Sequence, residues 1–238
     1  MSFLYHAFFF NPLYNFLILL FNLFPWADAG LMVIVLTILV RLLLFPLSRK
    51  AVLTQLKMNS IAPEIAEIKA KHANNSEAQA RETFALYKEK GVNPFSGIVV
   101  ILIQIPLIFA LYRIFLHISE IDTSVLYSFM SAPAHIDTIF LGFLDVSGKS
   151  IILALLAAVS TFLQLYFSTQ NQAPSTAAKG SFGEGLAKSM QTQMKYFFPV
   201  MVFFISYNIS AVIALYWLTT NLFSIGQEYF IKRNAVLA

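Results

Sequence analysis

The sequence predicts an all-α membrane protein. Five transmembrane helices run with the N-terminus outside and the C-terminus inside, joined by an N-terminal interfacial helix and a cytoplasmic helical hairpin. Three observations predict this. Hydrophobic residues make up 58% of the chain and charged ones 12%, about half the charge of a soluble domain. Apolar runs of membrane length recur, separated by polar connections. The basic residues fall in alternate connections, as they do around helices that cross a bilayer.

Residues 1–28 are strongly aromatic and carry no Lys or Arg, so the basic region of a secretory signal is missing. Asn11-Pro12 reads as a helix start, with Asn as cap and Pro in the first turn. Asn11, Asn15 and Asn22 then share a face that should meet water, which makes 11–24 an interfacial helix; an additional span is the rival reading. Pro25, Trp26 and Asp28 end it at a membrane surface.

The core is expected over 29–233, with a short tail at 234–238. The first span covers about 30–47 and holds Arg41 in LMVIVLTILVRLLLFP. A guanidinium stays charged at ordinary pH, and near mid-membrane it costs roughly 2.5–3.5 kcal/mol. Thr37, Arg41 and Ser48 fall on one helical face, which should look inward. Arg41 is therefore either a boundary residue snorkelling to the headgroups or a charge in a hydrated intramembrane cavity.

Residues 58–93 change character, with five Glu, five Lys or Arg and no membrane-length apolar run. Ile61, Ile65 and Ile68 repeat at helical spacing after a bend at Pro63, and Ser76-Glu77-Ala78-Gln79 reads as a capping box opening a second helix. Phe84 and Tyr87 should supply its apolar side, and Gly91 with Asn93-Pro94 closes it. The second span is 94–116, with Gln104 and Pro106 inside. The 117–150 connection carries Glu120, Asp122, Asp137 and Asp145, and its Phe129-Met130 and Phe140 to Leu144 segments should rest on the bilayer surface.

The third span is 151–169, with Ser160, Thr161, Gln164 and Ser168 on one side. A mobile connector is expected over 170–194, then a short fourth span at 196–207 and a tight break at Asn208-Ile209-Ser210. The fifth span, 211–231, carries the stripe Trp217, Asn221, Ser224 and Glu228.

Charge sets the orientation. The 48–93 connection holds Arg49, Lys50, Lys57, Lys69, Lys71, Arg81, Lys88 and Lys90, whereas 117–150 holds Lys149 alone. Lys179, Lys188 and Lys195 mark 170–195 as an inner connection, and Lys232-Arg233 marks the tail as inner too.

Arg41, Gln104, Gln164 and Asn221, the last with Thr219 and Thr220, bring polar groups from four spans to membrane depth. Each amide alone is accounted for by an interhelical hydrogen bond of about 0.6 kcal/mol. Four spans contributing together, one with a fixed charge, point to a hydrated concavity. Cys is absent, which excludes thiolate catalysis and thiolate metal sites. No HExxH, GxSxG or P-loop occurs, the four His residues lack ligand spacing, and no acid pair lies within a span. Enzyme readings, a lipid enzyme among them, and ion-coupled transport readings are weakened accordingly, and neither a metal nor another cofactor is expected. A small-solute transporter or channel with an anion-attracting arginine is the alternative from another class.

TILVRLLLFPLSRKA, the charged hairpin, NPFSGIVVILIQIPLIFALYRIF, FFPVMVFF and ALYWLTTNLFSIGQEYF together resemble the YidC family of membrane protein insertases, relatives of the mitochondrial oxidase-assembly and chloroplast insertases. The likeness extends over about residues 10–233. It implies a five-span core enclosing a groove open to the cytoplasm and the lipid and closed outside. The family's groove arginine corresponds to Arg41, its polar third-span residue to Gln164 and its fifth-span tryptophan to Trp217. Gln104 and Asn221 join the expected substrate groove from this sequence's own pattern. The implied partners are nascent membrane proteins and the bilayer of a bacterial cell membrane, with the ribosome, the signal-recognition-particle receptor and the Sec translocon as further candidates; no direct nucleic-acid recognition is implied. The large periplasmic domain, the extra N-terminal span, the lipoprotein cysteine and the long basic tail of some relatives are not expected here, so ribosome contact would fall to 58–93 or 170–195.

Overall fold

The computed structural model describes residues 2–73, 75–93, 96–118, 121–169 and 182–236, and it is almost wholly helical. Pro94, Glu120 and the connector residues 170–181 lie outside the described residues.

The N-terminal helix starts earlier than Asn11-Pro12 suggests. Ser2–Tyr5 (α1) runs through a π-helical turn, His6–Phe10, directly into Asn11–Leu23 (α2). Asn11 has helical backbone angles and does not cap. The three asparagines differ in exposure: Asn22 is exposed, Asn11 is half-buried and Asn15 is not in water. Asn15 is buried, donating to the Val125 carbonyl at 2.9 Å and accepting from the Tyr127 N–H at 2.8 Å. Asn22 donates to the Ser131 carbonyl. Amides on an apolar helix have found backbone partners in the 117–150 connection, which satisfies groups that sequence alone would send to solvent.

Ala29–Leu43 (α3) opens with Asp28 as cap, its carboxylate accepting from Leu31 N–H at 2.8 Å. At Leu44 the chain bends by 60° into Phe45–Ser60 (α4). Pro46 sits in the first turn of the new helix, where its missing N–H costs nothing. The expected single face breaks here. Thr37 is buried, bonding back to the Val33 carbonyl, while Ser48 lies beyond the bend.

The charged segment forms Ala62–Lys71 (α5) and Ser76–Glu89 (α6) around a small core of their own: Ile61, Ile65, Leu86, Tyr87 and Val92. Two details differ from expectation. Asn75, rather than Ser76, caps α6, accepting from Ala78 N–H at 3.0 Å. Phe84 points outward, 58% exposed, and Leu86 takes its place beside Tyr87. Gly91, at φ +62°, turns the chain out of α6.

Ser96–Leu116 (α7) and Ile151–Thr169 (α8) are helical over the segments expected to form the second and third spans. Between them lie a 3-10 turn, Thr123–Val125, and a two-residue hairpin, Ile139–Phe140 (β1) with Leu144–Asp145 (β2). The hairpin seats on α3. Ala29 N–H donates to the Asp137 carbonyl at 2.7 Å, Leu141 N–H donates to Asp28, and Phe140 lies against Gly30.

The fourth helix is not short. Phe182–Ile209 (α9) is 28 residues long, so helix begins within the expected connector and runs through Pro199. Ser210 makes the break, its hydroxyl donating to the Val146 carbonyl and accepting from Val212 N–H. Ala211–Val236 (α10) extends past 231 and takes in part of the expected tail.

The main core gathers α2, α3, α7, α8 and α10, with Met32, Leu36, Leu111, Phe115 and Val212 fully buried. Among the described residues, Phe3–Leu23 and Ile151–Ser168 are each long and apolar enough to cross a membrane, and α3 with α4 qualifies as a bent pair. The fold is that of an all-α membrane protein.

Candidate functional site: a polar hollow among five helices

Five helices meet around a cavity of about 410 Å³. Arg41 enters from the last turn of α3, just before the bend at Leu44. Gln104, Ile108, Phe109, Tyr112 and Phe115 come from α7, and Gln164 from α8. Ile205 and Ile209 of α9 supply apolar wall. The stripe along α10 comprises Ile213, Tyr216, Trp217, Thr220, Asn221 and Ser224, whose spacing of three and four puts them on one face. The hollow thus brings together Arg41, Gln104, Gln164, Trp217 and Asn221.

Its polar groups are held differently. Asn221 is 6% exposed; its amide donates to Thr161 Oγ1 at 2.7 Å and Ser160 Oγ at 3.1 Å. Those hydroxyls in turn donate to the Ala157 carbonyl. Asn221 is thus an α8–α10 tie as well as wall, and Ser160 and Thr161 serve that tie. Gln104 Nε2 donates to Tyr216 Oη at 3.3 Å, linking α7 to α10. The Tyr216 ring packs at 5.9 Å from Phe115.

Arg41 is half-buried, and among the described residues no carboxylate lies within 4 Å of it. Among the described residues no Asp or Glu lines the hollow. Glu228, at the C-terminal end of the α10 stripe, pairs instead with Lys232 at 2.6 Å. The cavity therefore carries a net positive charge beside amide and hydroxyl groups on aromatic and aliphatic walls. Such a surface can attract an anionic group, and among the described residues no nucleophile–base pair lines it.

Thr220 was named with Asn221, but Tyr216 is among the cavity residues that sequence pattern does not single out. An aromatic ring inside an apolar helix reads as core, and only the packing of α7 on α10 turns the Tyr216 hydroxyl toward Gln104. Ser224 was visible in the stripe. Thr219 turns away, its hydroxyl bonding back to Leu215.

A helical membrane protein with an unpaired cation in a polar hollow is the class that fold and site define. Residues 19–237 match the family model described as 60Kd inner membrane protein. The chain belongs to that family, which includes the YidC insertases. It is 34% identical to the membrane protein insertase YidC of Clostridium perfringens over 84% of this chain and 76% of that one. To the Fusobacterium nucleatum protein of the same name it is 30% identical, with 87% of each chain covered. To the membrane protein insertase YidC 2 of Bacillus anthracis it is 29% identical over 96% of this chain and 81% of the relative.

Proposed function

We propose that this chain is a membrane protein insertase that moves hydrophobic segments of newly made proteins from the cytoplasm into the bilayer, through a hydrated groove whose positive charge is Arg41. The observation that carries the reading is the meeting of Arg41, Gln104, Gln164, Trp217 and Asn221 around one hollow, in a chain whose relatives are named as insertases.

In this reading α3, α7, α8, α9 and α10 are the five spans, N-out and C-in, of a multi-pass protein of the bacterial inner or plasma membrane. The distribution of Lys and Arg supports that orientation. The N-terminal segment, 1–28, lies along the outer surface. Tyr14, Asn15 and Asn22 all bond to 122–131 of the outer connection, which favours a helix laid against that connection over one crossing away from it. The 29–233 core holds the groove, and 234–238 is the tail.

Moving a polar or acidic outer stretch through hydrocarbon is the barrier to insertion. A groove reaching partway in shortens the dry path, and Arg41 offers an acidic group a transient partner. The apolar segment then slides into lipid, where its burial makes the step downhill, about 25 cal/mol per Å². The exposed Phe84 of the α5–α6 hairpin is a contact point for incoming chains or for the ribosome, the signal-recognition-particle receptor or the Sec translocon.

Proteoliposomes containing purified protein test the reading. The client is a single-span protein with a short acidic outer tail, and protease protection is the readout. Wild type and Arg41→Lys should insert it, and Arg41→Ala should fall at least tenfold. Equal insertion by all three would sink the electrostatic step. Solute flux without insertion would instead support a transporter.

A further inference from the structure

A second hollow, separated from the Arg41 groove by Phe109 and Tyr112, lies between the N-terminal helix and the C-terminal half of α7. Its volume is about 1030 Å³. Leu4, Phe8 and Phe9 face Ile105, Pro106 and Phe109 across it, and Arg113 stands at one end. Leu4, Phe8 and Phe109 are each 60% exposed or more, so the hollow is open-sided. Water gains nothing among such walls, and an open apolar hollow on a membrane protein is filled by lipid chains.

Arg113 makes the occupant more specific. Its guanidinium carbon sits 5.2 Å from the centre of the Phe10 ring, which covers one face of the cation. The five N–H donors lie in the guanidinium plane and remain available. Among the described residues none of them meets an acceptor, and no carboxylate lies within 4 Å. Asp122, the nearby acid, is hydrogen-bonded to the N–H and hydroxyl of Ser124, and those bonds, with a smaller contribution from the Arg113 charge, hold its carboxyl below the usual carboxylate range. Arg113 is one turn from the end of α7 at Leu116, the depth at which a headgroup phosphate lies if α7 spans.

We propose that this hollow is a phospholipid site, with an acyl chain along α1, the π-helical turn and α7 and the phosphate on Arg113. Phe109 and Tyr112 face both hollows, so the bound lipid backs the wall of the Arg41 groove.

Native mass spectrometry of the full chain from detergent tests this, using dioleoyl phosphatidylglycerol, dioleoylglycerol and glycerol 3-phosphate as probes. Wild type should retain one phosphatidylglycerol at least tenfold more tightly than dioleoylglycerol. Glycerol 3-phosphate in hundredfold excess should not displace it. Arg113→Gln, matched to wild type by thermal melting, should bring the two lipids within threefold. Ile105→Trp should lower retention of both at least fivefold. Val200→Trp, placed in the apolar hollow between α8 and α9, should leave retention unchanged. Undiminished preference in Arg113→Gln, displacement by glycerol 3-phosphate, or equal loss in Val200→Trp would overturn the proposal; the last would mean unselective annular lipid.

Discussion

Arg41 carries a cost as well as the role proposed for it. It is half-buried without a carboxylate partner, and a cation so placed is unfavourable by roughly 2.5–3.5 kcal/mol at mid-membrane. Arg41→Leu should therefore melt higher than wild type in detergent while inserting less, the pattern expected where a site is kept at the expense of stability. Asn221 is the opposite case. Asn221→Ala removes two hydrogen bonds, but Ser160 and Thr161 keep theirs to Ala157, so no hydroxyl is left without a partner. The loss should be about 0.6 kcal/mol and no more than about 1.7, read as a small fall in melting temperature. Both residues stand out in the sequence because a guanidinium or an amide is foreign to an apolar run. Tyr216 does not, because its ring belongs there and only its hydroxyl is functional in the packing.

At the scale of elements, the β1–β2 hairpin and α3 form one unit. A Cβ on Gly30 would run into the Phe140 ring. Gly30→Ala should destabilise by about 1–3 kcal/mol, as overpacking does, and adding Phe140→Ala should recover part of that in a double-mutant cycle of melting temperatures. The α5–α6 hairpin is tied differently. Glu82 binds Lys71 at 3.0 Å and His72 at 2.9 Å, and these bonds, Lys71 first, hold its carboxyl below the ordinary value of 4.5. A depressed carboxylate contributes stability above its unfolded pKa and loses it as pH falls through the folded one. Protection of the amides in α5 and α6, relative to their intrinsic exchange rates, should therefore fall as pH drops below about 4.5, and Glu82→Gln should flatten that dependence. The hairpin was legible because its charges and isoleucine spacing contrast with the flanking runs. The start of α9 was not: Gly, Ser, Gln and Ala before Tyr196 carry no apolar period, and the helix there extends the apolar segment that follows. The bend at Leu44 was signalled by Pro46, but a proline in a first turn and one in mid-helix look alike until the angle is seen.

At the scale of the molecule, the two ends are built unequally. The 117–150 connection is sewn to α2 through Asn15, to α3 through Ala29, and to the start of α10 through Val146 and Gly148, whose carbonyls accept from Val212 and Ala211. The opposite end has no such strap among the described residues, and its hairpin holds a core of its own. A hollow strapped at one end should admit water from the other. The α10 stripe supplies a ruler, since Ile213 and Ser224 both line the hollow and lie about 16 Å apart along the helix at 1.5 Å per residue. The chain has no native cysteine, so single substitutions report without background. In inside-out vesicles, whose cytoplasmic face is outward, Ser224→Cys and Trp217→Cys should react with a membrane-impermeant maleimide, and Ile213→Cys should react at least tenfold more slowly. In right-side-out vesicles all three should stay unlabelled. Reaction of Ile213→Cys from the outer face would mean that the strap leaves a continuous pore, which favours a channel over a one-sided groove.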